Sequence, residues 1–251
     1  MRITKKNLKS LIKNILTEAE WDEQTIDAVY KPSNMEPSDK LYKKLMGAEG
    51  HVPYVYDDKR KENAKKVPSK DLEKIVAAGR SPKSGAIPKR LASYSESKGT
   101  PTIGIGHAIF QKGHKKYDPK EQEKYKPYLK GGDSYMTKSE AIKLFKADVV
   151  KHAQFKDRIE APISQNMFDS LVSLAFNSGW ERGKPIDRII SLINKKQYKK
   201  AAKKILSTAV KSKGEVLKGL QRRRKKEYKM FLADYSSFIS DLKSAGIENI
   251  A

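Results

Sequence analysis

The chain has 251 residues, with 53 Lys and Arg against 30 Asp and Glu, a net charge of +23. At roughly 150 residues per domain this is one large domain or one domain plus an appendage. Its 37% hydrophobic content supports a modest core, no run approaches the ~18 apolar residues of a membrane span, and zero cysteines exclude disulfides, thiolate zinc sites and a Cys nucleophile.

Residues 1–20 carry Leu8, Leu11, Ile12, Ile15, Leu16 and Ala19 at helical spacing, with Lys5, Lys6, Lys9 and Lys13 on the remaining surface. This is the stripe of an amphipathic helix. Lys and Asn interrupt every apolar pair, so the segment lacks the apolar core of a secretion signal. It reads as a helix packed on its own domain or on a partner protein, or lying on an anionic membrane. Residues 21–38, with two prolines and little periodicity, read as a linker. A helical pattern resumes through Leu41, Tyr42, Leu45 and Met46, with Ser38 or Asp39 as its cap and Gly50 at its end.

Residues 59–99 hold twelve basic and four acidic side chains amid Pro, Ser and Gly, and read as an inserted loop region with a short helix near Lys70–Ala78. A β-prone run follows from Thr100 to Phe110, then a second polar insertion over 111–135. Thr137 to Glu140 is a capping-box pattern opening a helix through Ile142, Phe145 and Val149. Helices are further expected over Phe168–Phe176, Ile186–Asn194, Tyr198–Thr208 and Leu217–Tyr235, and residues 236–251 read as a surface tail. The four histidines, His51, His107, His114 and His152, are too scattered to suggest a multi-His metal site.

Glu49 ends the first of these helices and Asp58 lies nine positions later. Glycoside hydrolysis uses such a pair, one carboxyl protonated to donate to the leaving oxygen and the other ionised to activate water. Among 30 acidic residues the spacing alone selects nothing. Its surroundings do: Glu49-Gly50, then Tyr56-Asp57-Asp58, then Thr102-Ile103-Gly104-Ile105-Gly106-His107. Farther on come Phe168 to Gly179 (FDSLVSLAFNSG) and Gly219 to Tyr228 (GLQRRRKKEY). Together these resemble the phage-type lysozymes, glycoside hydrolase family 24, the T-even and lambdoid endolysin-like muramidases. The resemblance spans about residues 41–235.

The resemblance implies an α+β, mainly helical fold. A small β-containing N-terminal lobe and a larger helical C-terminal lobe would be joined by a long helix, with the cleft between them. The domain would cover 39–235, preceded by the helix and linker of 1–38 and followed by the tail of 236–251. It implies Glu49 as the general acid, Asp58 as the group that positions and activates water, and Thr102 as holding that water or lining the attack face. Inverting members of the family require carboxyls about 6.5–9.5 Å apart. Where the family has a tight turn, 43 residues separate Asp58 from Thr102. A hairpin absorbs such a loop if its ends stay close, because closure entropy grows slowly with length. Asp57, pointing the other way on an extended segment, is the alternative acid.

His107 and Asn177 are carried over as substrate-side residues. His107 has a second reading, a partly buried imidazole paired with a carboxylate of its own lobe. Asn177 has one as a helix-end cap. Gly104 and Gly106 lack phosphate-loop spacing and read as close backbone packing in a sheet. Arg222, Arg223 and Arg224 read as a solvated helix face with one of the three tied to an acid.

The expected activity is hydrolysis of the β-1,4 bond between N-acetylmuramic acid and N-acetylglucosamine in peptidoglycan glycan strands, with no metal or organic cofactor. The alternatives are a lytic transglycosylase and a virion structural or adaptor protein carrying a lysozyme domain, its partner held through residues 1–38. Thirteen basic and two acidic residues between Lys199 and Lys229 would concentrate the protein on an anionic wall polymer. No specific nucleic acid is expected, and membrane contact only through the N-terminal helix. Without a signal peptide, synthesis in a host cytoplasm would be followed by holin-type release or carriage in a virion to the wall.

Overall fold

A computed structural model of the chain describes residues 26, 29–49, 51–58, 90–132, 134–212, 214–247 and 250, with 48, 49 and 212 described in their backbone only. The expected helices at 1–20 and Lys70–Ala78 lie outside these residues. The chain divides into two compact units, one of Tyr42–Val149 and one of Met1–Leu41 with Val150–Ala251.

Helix α1, Asp39–Glu49, enters the first unit. Its start is capped by Ser38, whose hydroxyl accepts from the Leu41 N–H at 3.2 Å, the N-cap bond that satisfies an orphan donor of the first turn. Strand β1, Val52–Asp57, pairs antiparallel with β2, Pro101–Gly104, and β2 pairs with β3, His107–Ala108. Tyr56 lies opposite Thr102 and Asp57 opposite Pro101. Val52, Val55, Ile103, Ile105 and Ile109 are buried. The turn between β2 and β3 uses Gly104 and Gly106 at φ of +66° and +76°. A Cβ on Gly104 would also sit 3.0 Å from the Met136 sulfur, so the TIGIGH glycines serve backbone geometry and close packing.

The expected polar insertion at 111–135 is instead part of this unit's fold. It contains α2, Pro119–Tyr125, capped by Asp118 with Pro at the first position, and it buries Tyr125 and Leu129. Its closing segment is gripped by Arg90. That side chain donates to the carbonyls of Tyr128 (2.9 Å), Gly132 (2.9 Å) and Ser134 (3.0 Å), and lies 4.8 Å from the Tyr135 ring centre. Helix α3, Lys138–His152, opens on the expected capping box: Glu140 accepts from the Thr137 N–H at 2.8 Å, and Thr137 accepts from the Glu140 N–H at 3.2 Å.

The other unit is built on α4, Gln165–Ser178, whose Phe168, Leu171, Val172, Leu174 and Ala175 are fully buried. Around it come α5, Asp187–Asn194; α6, Tyr198–Ser207; a two-stranded ribbon of β4, Lys211–Ser212, and β5, Glu215–Val216; and α7, Lys218–Phe231. The helix expected to run to Tyr235 breaks after Phe231. A further helix, α8, Tyr235–Ser244, replaces the expected surface tail. Phe238 and Leu242, four residues apart on one face, are buried, and Phe238 packs edge-on against Tyr30 and Tyr198. The described part of the expected linker is docked as well, with Ile26 and Met35 buried and the Lys156 ammonium 2.9 Å from the Met35 carbonyl. The fold is therefore α+β, with its three-stranded sheet in one unit and mainly helices in the other.

Candidate active site

Glu49 is the last residue of α1, and β1 begins three residues later at Val52. Its carboxyl lies outside the described atoms. Along β1 successive side chains alternate sides, and the two neighbouring acids separate accordingly. Asp57 is 3% exposed, and its carboxylate accepts from the N–H groups of Lys98 at 2.7 Å and Gly99 at 3.0 Å. Asp58 is exposed; one oxygen accepts from the Thr100 N–H at 2.7 Å, and its own N–H donates to the Thr100 carbonyl at 3.3 Å. The second Asp58 oxygen has no partner among the described residues.

Thr102 is 5% exposed, and its hydroxyl donates to that same Thr100 carbonyl at 2.9 Å. Thr100 thus joins Asp58 and Thr102 through its own N–H and C=O. The 43 residues between Asp58 and Thr102 do not separate them, because strand pairing and these bonds close the loop at its base. Asp57 secures the same closure from inside, which leaves Asp58 as the outward carboxylate.

His107 lies in β3 with its side chain 11% exposed. Nδ1 is 2.8 Å from Asp148 and Nε2 is 3.1 Å from Glu121, and the ring packs edge-on against Tyr125 at 5.4 Å. Burial alone drives an imidazole down; hydrogen bonds and charge from Asp148 and Glu121 outweigh it and push the pKa up to about 9. Both ring nitrogens are therefore occupied by carboxylates of the same unit, the arrangement of its second reading. The sequence held no local sign of these partners, which lie 14 and 41 residues away.

Asn177, in the last turn of α4, accepts from Arg224 of α7 through its side-chain oxygen. Arg224 is fully buried, not solvated, and also pairs with the fully buried Glu227. Glu227 accepts from the Ser173 hydroxyl at 2.8 Å, and its carbonyl accepts from Ser170 at 2.8 Å. Burial lowers the Arg224 pKa, and Glu227 pulls it back up; a guanidinium remains charged throughout. The FDSLVSLAFNSG and GLQRRRKKEY stretches are thus the two halves of one buried polar network. Arg223, 3.3 Å from Glu227, edges it.

No group of His, Asp and Glu among the described residues is arranged to hold a metal ion. Compared with known proteins, the chain matches the phage lysozyme family model over residues 88–227. That match takes in Thr102, His107 and Asn177 and begins after Glu49 and Asp58. The endolysin of Salmonella phage P22 is 30% identical over 147 residues, covering 58% of this chain and 88% of that protein. The endolysin of Bacillus phage B103 is 32% identical over 106 residues, 42% of this chain and 40% of that one. Among solved structures, a mutant of P22 lysozyme aligns over 79% of this chain and 99% of its own, at 21% identity and a TM-score of 0.48.

Proposed function

This chain belongs to the phage lysozyme family and is a peptidoglycan-cleaving muramidase, and on that premise we propose that Glu49, Asp58 and Thr102 carry the reaction. The bond cleaved is the β-1,4 link from N-acetylmuramic acid to N-acetylglucosamine, and the place of action is the cell wall. Glu49 protonates the glycosidic oxygen as the bond breaks. Asp58 accepts a proton from the water that attacks the sugar's anomeric carbon, and Thr102 orients that water.

The state of Asp58 carries this reading: an exposed carboxylate just past β1, with one oxygen held by the Thr100 N–H and the other without a partner among the described residues. The first bond fixes the carboxylate's orientation, and the second oxygen accepts from water. The single Thr102 proton is spent on the Thr100 carbonyl, so its oxygen also accepts. A water that donates to both groups has no hydrogen left toward the sugar and presents a lone pair to it. Asp57 offers no such oxygen to solvent, since it is 3% exposed and its oxygens accept the backbone bonds of Lys98 and Gly99. Asn177, assigned to saccharide binding by the family resemblance, has its side-chain oxygen held by Arg224 within its own unit, which leaves its amide hydrogens to donate. The chemistry uses protein carboxyls and water, with no cofactor. Contact with a virion component or a membrane through residues 1–38 rests on the Leu8–Ala19 stripe alone.

Replacing Asp58 with Asn keeps the shape and the bond to Thr100 but removes the base. On purified peptidoglycan, kcat should fall by roughly 10²–10⁴-fold with little change in KM. Asp57→Asn should act mainly on thermal stability. If Asp58→Asn kept wild-type turnover, the assignment of the water-activating group would be wrong.

A further inference from the structure

A cavity of about 340 Å³ opens in the helical unit between the loop that precedes α5 and the C-terminal end of α6. Lys184, Arg188 and Lys204 line it together with Ser207, Thr208 and Ala209. No carboxylate lines it, and none of the three cations has an ion-pair partner among the described residues. Of the nearby acids, Asp187 is held by Arg158 and the Gly183 N–H, while Glu181 accepts from the Trp180 N–H and lies beside the Lys184 side chain without an ion pair to it.

Three cationic residues on one concavity give its lining an excess of positive charge. Lys184 and Lys204 are also half-buried, which denies them part of their hydration and raises the field inside the concavity. The fold holds this arrangement firmly. The Thr208 and Ser207 hydroxyls both donate to the Lys204 carbonyl, at 2.7 and 3.2 Å, and Ala209 turns the chain at a φ of +49°. A left-handed alanine is an unfavoured backbone state that surrounding structure must impose. The site is thus a preformed concavity whose lining carries cations and no carboxylate.

We propose that Lys184, Arg188 and Lys204 form a binding pocket for an oxyanion group, carboxylate or phosphate, carried by the wall polymer. The pocket itself follows from the cavity and its charges; that the ligand belongs to the wall rests on the muramidase reading. A guanidinium fork with two ammonium groups suits either oxyanion. Held there, the polymer is anchored by a group other than the sugars being cut.

Two variants of equal net charge separate a site from general attraction. One is Lys184→Gln/Arg188→Gln/Lys204→Gln. The other neutralises three exposed lysines of α7 that do not line the pocket, Lys225→Gln/Lys226→Gln/Lys229→Gln. Inorganic phosphate titrated into isotope-labelled protein should shift the backbone amide signals of Lys184, Ser207, Thr208 and Ala209 saturably. The pocket variant should lose those shifts and the control should keep them. Non-saturating shifts, or equal loss in both variants, would overturn the pocket.

Co-sedimentation with purified cell walls then tests the polymer, in a Glu49→Gln background that keeps the walls intact. The pocket variant should bind about tenfold more weakly and the control within twofold of its parent. Walls stripped of phosphate polymers by hydrofluoric acid distinguish the source: the gap between variants vanishes if phosphate is the ligand and persists if it is a stem-peptide carboxylate. No gap on either kind of wall would overturn the polymer assignment. Cleavage that persists in the Glu49→Gln background would contradict the catalytic reading and leave the pocket untouched.

Discussion

His107 is where a single residue ties the β-containing unit together, through Asp148 on α3 and Glu121 on α2. Its folded pKa of about 9 stands above the ordinary 6.5, so the folded state holds the proton more tightly than the unfolded chain does. The resulting stabilisation is complete below about pH 6.5 and is lost as the pH rises through about 9, amounting to roughly 3 kcal/mol at most. Urea unfolding of the wild type should therefore show lower stability at pH 9.5 than at pH 6. His107→Gln should be less stable at pH 6 and lose clearly less across that window, keeping only the small loss from tyrosines that the fold holds above their ordinary pKa. A wild-type loss that survives in full in His107→Gln would place its origin elsewhere. Of this constellation the sequence offered only the histidine, because its carboxylate partners are long-range. Asp57 and Asp58 were better marked, since alternation along an extended segment already sends one inward and one outward.

Helix ends show how local signals succeed and where they stop. Ser38, Asp118, Thr137 with Glu140, and Ser164 all cap as short polar residues before helices do. At the C-terminal ends, α8 closes with the Gly246 N–H on the Lys243 carbonyl and the Ile247 N–H on the Leu242 carbonyl, with Gly246 at a φ of +73°. The end of α5 makes the same pair of bonds, Lys196 to Ile193 and Gln197 to Leu192, but with a lysine at a φ of +54°. Glycine accepts that conformation without a Cβ penalty. Lys196→Gly should accordingly raise stability by about 0.5–1 kcal/mol, read as a shift in urea midpoint with an unchanged slope. A lower midpoint would show that the lysine side chain contributes more than its backbone costs. The helix α8 was missed because its apolar residues, Phe238 and Leu242, are few and sit among serines, so only tertiary packing reveals their face. The helix within the polar stretch 111–135 escapes sequence reading for the same reason: its two anchors, Tyr125 and Leu129, are isolated in sequence.

Across the whole molecule the legible part was the set of family stretches, and the structure supplies their physical purposes. TIGIGH is a strand and a glycine turn that puts Thr102 beside Asp58's backbone partner. FDSLVSLAFNSG and GLQRRRKKEY form one buried network running from Asn177 through Arg224 to Glu227 and Ser173. The two terminal nitrogens of Arg224 donate to Glu227 and Asn177, and the buried carboxylate of Glu227 offsets the charge, which is why one arginine of a basic run is fully buried. The net charge of +23 sets a field of longer range, and we propose that it draws the enzyme to an anionic wall polymer in a way that added salt weakens.

Mass spectrometry of the muropeptides released from purified peptidoglycan reads at once whether the glycan is hydrolysed and whether Glu49 is the acid that does it. Wild type should release products with reducing-end N-acetylmuramic acid, and Glu49→Gln should release roughly 10²–10⁴-fold less. Undiminished release by Glu49→Gln, or anhydro-muramic ends from the wild type, would contradict hydrolysis with Glu49 as the acid.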